Sequence, residues 1–293
     1  MAQSPAHRFG QIIGEVLEAG ILQLLTKFAR GHQLYLDQKG SRPCRRGTKC
    51  SWIDLNGNSH DLDFVLERGG TSTKIGIPVA FIETAWRRYT RHSRNKVQEI
   101  QGAIEPLVQT YRHAAPFKGA ILGGVFTGGA LAQLKSLGFT VLYFPYESIL
   151  AVFRKYDIDA SSDDKTPDNE FQRKVDAYDA LGEQRKAKLA TDLMKAHKKD
   201  VADFLNSLSQ SVSRQIDRIV ILTLHGQSHE VTTIEDAVAL IESYDERKQS
   251  ASFVRYEIHV RYNNGNDVRG EFYDKVSAVE FLRNYQPILP SVK

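Results

Sequence analysis

The stretch from Lys118 to Phe144 constrains the fold more than any other. An apolar run, Lys118 to Phe126, leads through glycines into an amphipathic segment, Gly129 to Leu137, which Gly138 ends before a second apolar run, Phe139 to Phe144. Short apolar runs bounded by glycine read as strands, and the 3.6-residue pattern between them reads as a helix. Strand, helix and strand in that order imply a parallel pair joined by a right-handed crossover. A parallel pair in turn needs helices over the sheet faces.

The upstream segments supply the rest of such a layer. Phe9, Ile12, Ile13, Val16, Leu17, Leu24 and Phe28 recur at helical spacing and predict one amphipathic helix. Cys50 to Leu55 and Asp61 to Glu67 flank Asn56-Gly57-Asn58, which predicts a hairpin in which Leu62, Phe64 and Leu66 alternate with acids. The proline-led run Pro78 to Trp86 (PVAFIETAW) reads as a mostly buried strand carrying Glu83. Ser93 is placed to cap a helix whose stripe is Val97, Ile100, Ile104, Leu107, Val108 and Tyr111. The predicted order is αβββαβαβ, an α/β fold with a mixed sheet between helices.

The chain has 293 residues, more than the usual ~150 per domain, so more than one domain is expected. Residues 1–155 hold the α/β core, and 156–213 read as a charged linker with connecting helices. Residues 214–293 read as a small α+β domain. There Arg218 to Tyr244 and Arg255 to Tyr285 each run strand, Gly/Asn turn, strand, helix, a weak repeat of two ββα units. Hydrophobic residues at 41% and charged residues at 25% are globular values and exclude a mainly disordered chain. The absence of a secretory leader pattern and of a long apolar span predicts a cytoplasmic protein with no membrane partner. Cys44 and Cys50 lack zinc-site spacing, and the nine histidines include no HExxH. Gly123 to Gly129 lies where a phosphate loop would, but it lacks the Gly-Lys-Ser/Thr ending, so close strand-helix packing is the simpler account. A net charge of +4 names no partner by itself.

The chemistry concentrates at two acids. Asp63 on the second predicted strand and Glu83 on the third can converge on one divalent ion, and oxygen ligands of this kind suit Mg²⁺. Asp61 shares a face with Asp63 and is the alternative ligand, although Asp63 sits deeper in the apolar run. Directly after Glu83 comes WRRYTRHSRNK, a cationic run interleaved with aromatics. In it Arg87, Arg88, Arg91, His92 and Arg94 are candidates to neutralise DNA phosphates.

This arrangement resembles the PD-(D/E)xK nuclease superfamily, which includes many restriction endonucleases. The αβββαβ order over residues 8–150 looks like that family's restriction-endonuclease-like core. Leu62-Asp63-Phe64-Val65-Leu66 matches its first acid motif, and Ile82-Glu83-Thr84-Ala85-Trp86 matches its second. Two letters depart from the motif: Leu62 stands at its proline, and Ala85 stands at its lysine. The superfamily is known to move that lysine onto the following helix. Lys96, about 70° from the centre of the Val97 to Tyr111 stripe, is the best substitute, and Arg88 is the alternative. Glu18 matches a helix glutamate that many relatives direct at the metal, but its place off the main apolar stripe reads as solvent-facing.

The resemblance implies a Mg²⁺-dependent endodeoxyribonuclease, of the type II restriction kind, with Asp63, Glu83 and Lys96 catalytic. It implies double-stranded DNA as substrate, a homodimer to cut both strands, and a cognate methyltransferase protecting host DNA. Two other outcomes fit the same residues. One is a catalytically inactive DNA-binding protein that keeps the fold, which Ala85 would explain. The other is a junction resolvase or repair nuclease.

Overall fold

The computed structural model describes residues 4–90, 93–223, 227–247 and 253–283. Two compact units divide the chain: residues 1–110 with 117–209, and residues 111–116 with 210–293. Among the described residues no helix is long and apolar enough to cross a membrane.

The first unit is built on a five-stranded mixed sheet in the order β1-β4-β5-β6-β7. Helix α1 (Pro5–Gly31) precedes it. Ser4 accepts a hydrogen bond from the His7 amide at 3.3 Å, and Pro5 takes the first turn, where no amide partner is needed. The first part of the predicted stripe is buried, with Phe9, Ile12, Ile13, Val16 and Leu17 each at most 2% exposed, but farther along Ile21, Leu25 and Ala29 are the buried residues, and the expected Leu24 and Phe28 are only half-buried.

Strand β1 (Leu34–Gln38) pairs antiparallel with β4 (Phe64–Arg68), and β4 pairs antiparallel with β5 (Ile77–Arg87). From β5 the sheet continues in parallel through β6 (Phe117–Gly124) and β7 (Thr140–Pro145). The crossovers are α2 (Ser93–Thr110) and α3 (Gly128–Ser136). Ser93 opens α2, but its hydroxyl donates to the Thr90 carbonyl at 2.8 Å, so it ties the helix to the preceding turn rather than capping it. Gly124 has φ +101°, and a Cβ there would lie 2.1 Å from the Arg87 carbonyl oxygen, so close packing does explain that glycine.

One strand differs from the sequence reading. The arm from Cys50 was counted as the first strand of the sheet, but β2 (Cys50–Ile53) pairs only with β3 (Ser59–Leu62), as a separate two-stranded ribbon. The first sheet strand is β1, and the ribbon is spliced between β1 and β4. Its turn is held by Asp54, which accepts from the amides of Asn56 (2.8 Å) and Asn58 (2.9 Å) and meets the His60 ring at 2.9 Å.

Strand β1 carries a buried acid, Asp37, which Arg42 meets at 2.8 Å and Arg45 at 3.0 Å. Arg42 also grips the buried Glu67 (2.9 Å) and the carbonyls of Thr71 and Lys74 (both 2.8 Å), while Glu67 accepts from the Gly76 amide. The loop after β4 is therefore pinned by a buried ion cluster.

After α4 (Tyr146–Arg154), the charge-rich stretch folds into α5 (Asp168–Asp179), α6 (Glu183–Ala196) and α7 (Lys198–Val212). Phe171, Val175, Leu189 and Leu193 are buried, and α5 and α6 pack against α1.

The second unit is a four-stranded antiparallel sheet in the order β11-β10-β8-β9. Its strands are β8 (Ile216–Leu222), β9 (Ser228–Val231), β10 (Tyr256–Tyr262) and β11 (Asp267–Phe272), with helices α8 (Ile234–Ser243) and α9 (Lys275–Arg283). Each half runs strand, strand, helix. Alternating Ile219, Ile221, Tyr256, Ile258 and Val260 face Ile234, Ile241 and Leu282 in one core.

Candidate active site

The site forms where the ribbon hands the chain to the sheet. Asp63 stands at the bend between the last residue of β3, Leu62, and the first of β4, Phe64. Phe64 pairs with Ile82, so the bend falls opposite Glu83, inside β5. The Asp63 amide donates to Glu83 Oε1 at 3.2 Å. In return Asp63 Oδ2 accepts from the amide and the hydroxyl of Thr84, both at 2.7 Å. Each carboxylate is thus anchored through one oxygen, with a second oxygen outside these bonds.

Glu83 is 8% exposed. Burial, and then the charge of Asp63, push its carboxyl up to about 8, while the Lys96 charge pulls in the opposite direction. Glu18 joins the group from α1, with Oε1 3.5 Å from the Thr84 hydroxyl oxygen. Glu18 is exposed, as its place off the apolar stripe implies, yet burial of its carboxyl and the charge of Asp63 raise that carboxyl above the usual carboxylate range. The side chain is thus solvent-facing and near the acid pair at once. The missed signal is a row along α1, since Gly10, Gly14 and Glu18 are each four residues apart and share one ridge.

Asp61, the alternative ligand, points elsewhere. It is exposed and held by Lys49 (2.6 Å) and Ser51 (2.6 Å).

A cavity of about 360 Å³ is lined in part by Glu18, Thr84, Ala85, Trp86, Arg88 and Lys96; Asp63 and Glu83 are not among its lining residues and adjoin it through Thr84. Ala85 is buried at the cavity edge. Lys96, on the first turn of α2, reaches the cavity wall and also pairs with Glu99 at 3.3 Å. Of the candidate phosphate contacts, Arg87 lies 3.7 Å from Glu99, and Arg94 is exposed. Arg88 is half-buried, its guanidinium over the rings of Tyr89 (4.4 Å) and Phe171 (4.9 Å). Arg91 and His92 lie outside the described residues.

Among the described residues, no three or more His, Cys, Asp or Glu side chains form a closed ligand set for a metal. The donor chemistry still fits a hard divalent cation that keeps most of its waters and takes one or two carboxylates. Two neighbouring carboxylates, one buried and resisting ionisation, would be relieved by such a charge.

No family model matches the chain, and no curated protein matches it in sequence. Among solved structures, one of a protein of unknown function, AF1548, is 13% identical. That match covers 67% of this chain and 100% of the other, with a TM-score of 0.27, a likeness too loose to support any argument.

Proposed function

We propose that this chain is a magnesium-dependent endodeoxyribonuclease of the PD-(D/E)xK type, hydrolysing DNA phosphodiester bonds at Asp63 and Glu83. The observation that carries the reading is the mutual anchoring of these two acids, at a strand break and on the neighbouring strand, with Lys96 on the wall of the adjoining cavity.

Asp63 and Glu83 would hold Mg²⁺, which on binding supplies Lewis-acid activation of water and neutralises phosphate charge. Thr84 fixes Asp63 with two hydrogen bonds, so the carboxylate keeps its orientation without needing the ion. Lys96 takes the place left by Ala85, orienting water and stabilising the charge that develops on the phosphate. Arg87, Arg88 and Arg94 would neutralise backbone phosphates. In a restriction setting the enzyme would act as a homodimer on double-stranded DNA, with a methyltransferase shielding the host sites.

The test is digestion of unmethylated DNA by the purified full chain with Mg²⁺ or EDTA, beside Glu83→Ala. Discrete fragments that require both Mg²⁺ and Glu83 are expected. DNA that stays intact while binding equally well in EDTA overturns catalysis and leaves a DNA-binding protein on a nuclease-like scaffold. Cutting confined to four-way junctions would move the activity from restriction to resolution.

A further inference from the structure

The cavity beside the acids extends well past what water activation needs. We infer that it receives an unpaired nucleobase next to the scissile phosphate, so that the preferred substrate carries a single-stranded nucleotide at the cut. The inference rests on the nuclease reading of the same site but not on its restriction setting, since an intact duplex site carries no unpaired nucleotide.

Three observations support it. The indole of Trp86 lines the cavity and is only half-buried, and it lies 6.0 Å from the Tyr146 ring, at 31° to it. The Arg88 guanidinium lies 4.4 Å from the centre of the Tyr89 ring and 4.9 Å from that of Phe171, and it donates to the Ser162 hydroxyl at 3.3 Å. Aromatic rings and guanidinium planes are the surfaces on which unstacked bases rest, and such stacking tolerates any base. On α1 the cavity wall is open at Gly14, where a Cβ would meet nothing within 4 Å, whereas at Gly10 a Cβ would already touch the indole, at 3.8 Å, so the room for a base lies on the Gly14 side.

The ridge that carries these glycines ends at Glu18. Gly14 and Glu18 are about 6 Å apart along the helix axis, and Glu18 comes within 3.5 Å of the Thr84 hydroxyl that holds Asp63, so the open wall leads toward the acid pair. A paired base in a duplex is stacked on both sides and offers no free face to Trp86. An extrahelical or overhanging base does, and the exposed side-chain amide of Gln11 on the rim supplies a donor and an acceptor for its edge.

The experiment compares one DNA duplex in two forms, blunt or with a short single-stranded overhang, binding the full chain in EDTA. Tryptophan fluorescence is the readout: Trp52 is buried at 6% exposure, so Trp86 is the one that reports. The overhang is expected to quench Trp86 and to bind about ten-fold more tightly than the blunt form, as stacking of a single base supplies. Gly14→Leu should fill the cavity, abolish the quench and erase the preference. The position has open space and leucine favours a helix, so this variant folds where Trp86→Ala could disturb its neighbours. Equal affinity for the two forms, or an overhang preference that survives Gly14→Leu, overturns the inference. Cleavage in Mg²⁺ on the same preparations separates the two readings. Cutting of both forms without preference removes the base pocket and keeps the nuclease, whereas preference without any cutting keeps the pocket and removes the nuclease.

Discussion

Replacing Glu83 with glutamine removes a charge while keeping the shape and the oxygen that accepts the Asp63 amide. The carboxyl is pushed from an ordinary 4.5 to about 8, chiefly by burial and then by Asp63, so the folded state binds this proton more tightly than the unfolded chain does. The sign follows: the contribution is fully present below about pH 4.5 and is lost as pH rises through about 8. At about 1.4 kcal/mol per pH unit, the cost of ionising Glu83 in the metal-free fold is capped at about 5 kcal/mol. Relaxation and water entry relieve part of it, leaving about 2–3 kcal/mol at pH 9. Glu83→Gln should therefore melt higher than wild type in EDTA at pH 9, by roughly 4–12 °C at ~2–4 °C per kcal/mol, and by almost nothing at pH 4.5. Mg²⁺ should raise the wild-type melting temperature, since a ligand at 100 times its Kd adds about 2.7 kcal/mol, and should leave the variant unmoved. Thermal unfolding at pH 4.5, 7 and 9, with EDTA or Mg²⁺, reads both effects. A variant that melts below wild type at pH 9, or a difference between the two that does not grow with pH, would refute the reasoning about a buried, repelled charge.

Lys96→Met should cut single-turnover cleavage by about 10²-fold or more while DNA affinity changes only a few-fold, because the amine is assigned to the reacting water and phosphate rather than to holding the duplex. Retained cleavage would hand that part to Arg88. Arg42→Met leaves Asp37 and Glu67 buried without their shared partner and should cost about 3–5 kcal/mol in urea unfolding; a loss under about 1 kcal/mol would mean the cluster rearranges. At Gly76 a Cβ would sit 2.4 Å from both the Arg68 carbonyl oxygen and the Gly70 amide nitrogen, so Gly76→Ala should destabilise by about 1–3 kcal/mol, measured in the same way, and an unchanged midpoint would contradict the packing.

What could be read in advance followed from how each signal arises. The β5 to β7 crossover was legible because buried parallel strands leave uninterrupted apolar runs with glycine between them. The two ββα repeats were legible because each alternates apolar and polar residues across an Asn/Gly turn. Strand β1 was not, because Leu34-Tyr35-Leu36-Asp37-Gln38 is short and its buried residue is an acid, neutralised by arginines from a loop that periodicity does not describe. Asp63 was picked on depth in an apolar run, and the structure puts it beside Glu83, but as a hinge between two sheets rather than as a mid-strand residue. Glu18 is exposed as its place off the stripe implies, but its approach to Thr84 was not legible, because the stripe of α1 marks only the face toward the core. A second row, beginning with two glycines, lies against a cavity and leaves no apolar signature.

The hinge at Asp63 does not leave the ribbon loose. β2 and β3 pair only with each other, yet Trp52 meets the Phe81 ring edge-on at 5.9 Å and the Leu55 amide donates to the Thr110 hydroxyl at 2.8 Å. A one-residue slip in the ribbon would carry Trp52 away from Phe81, so the segment that leads into Asp63 is tied to the very strand that carries Glu83.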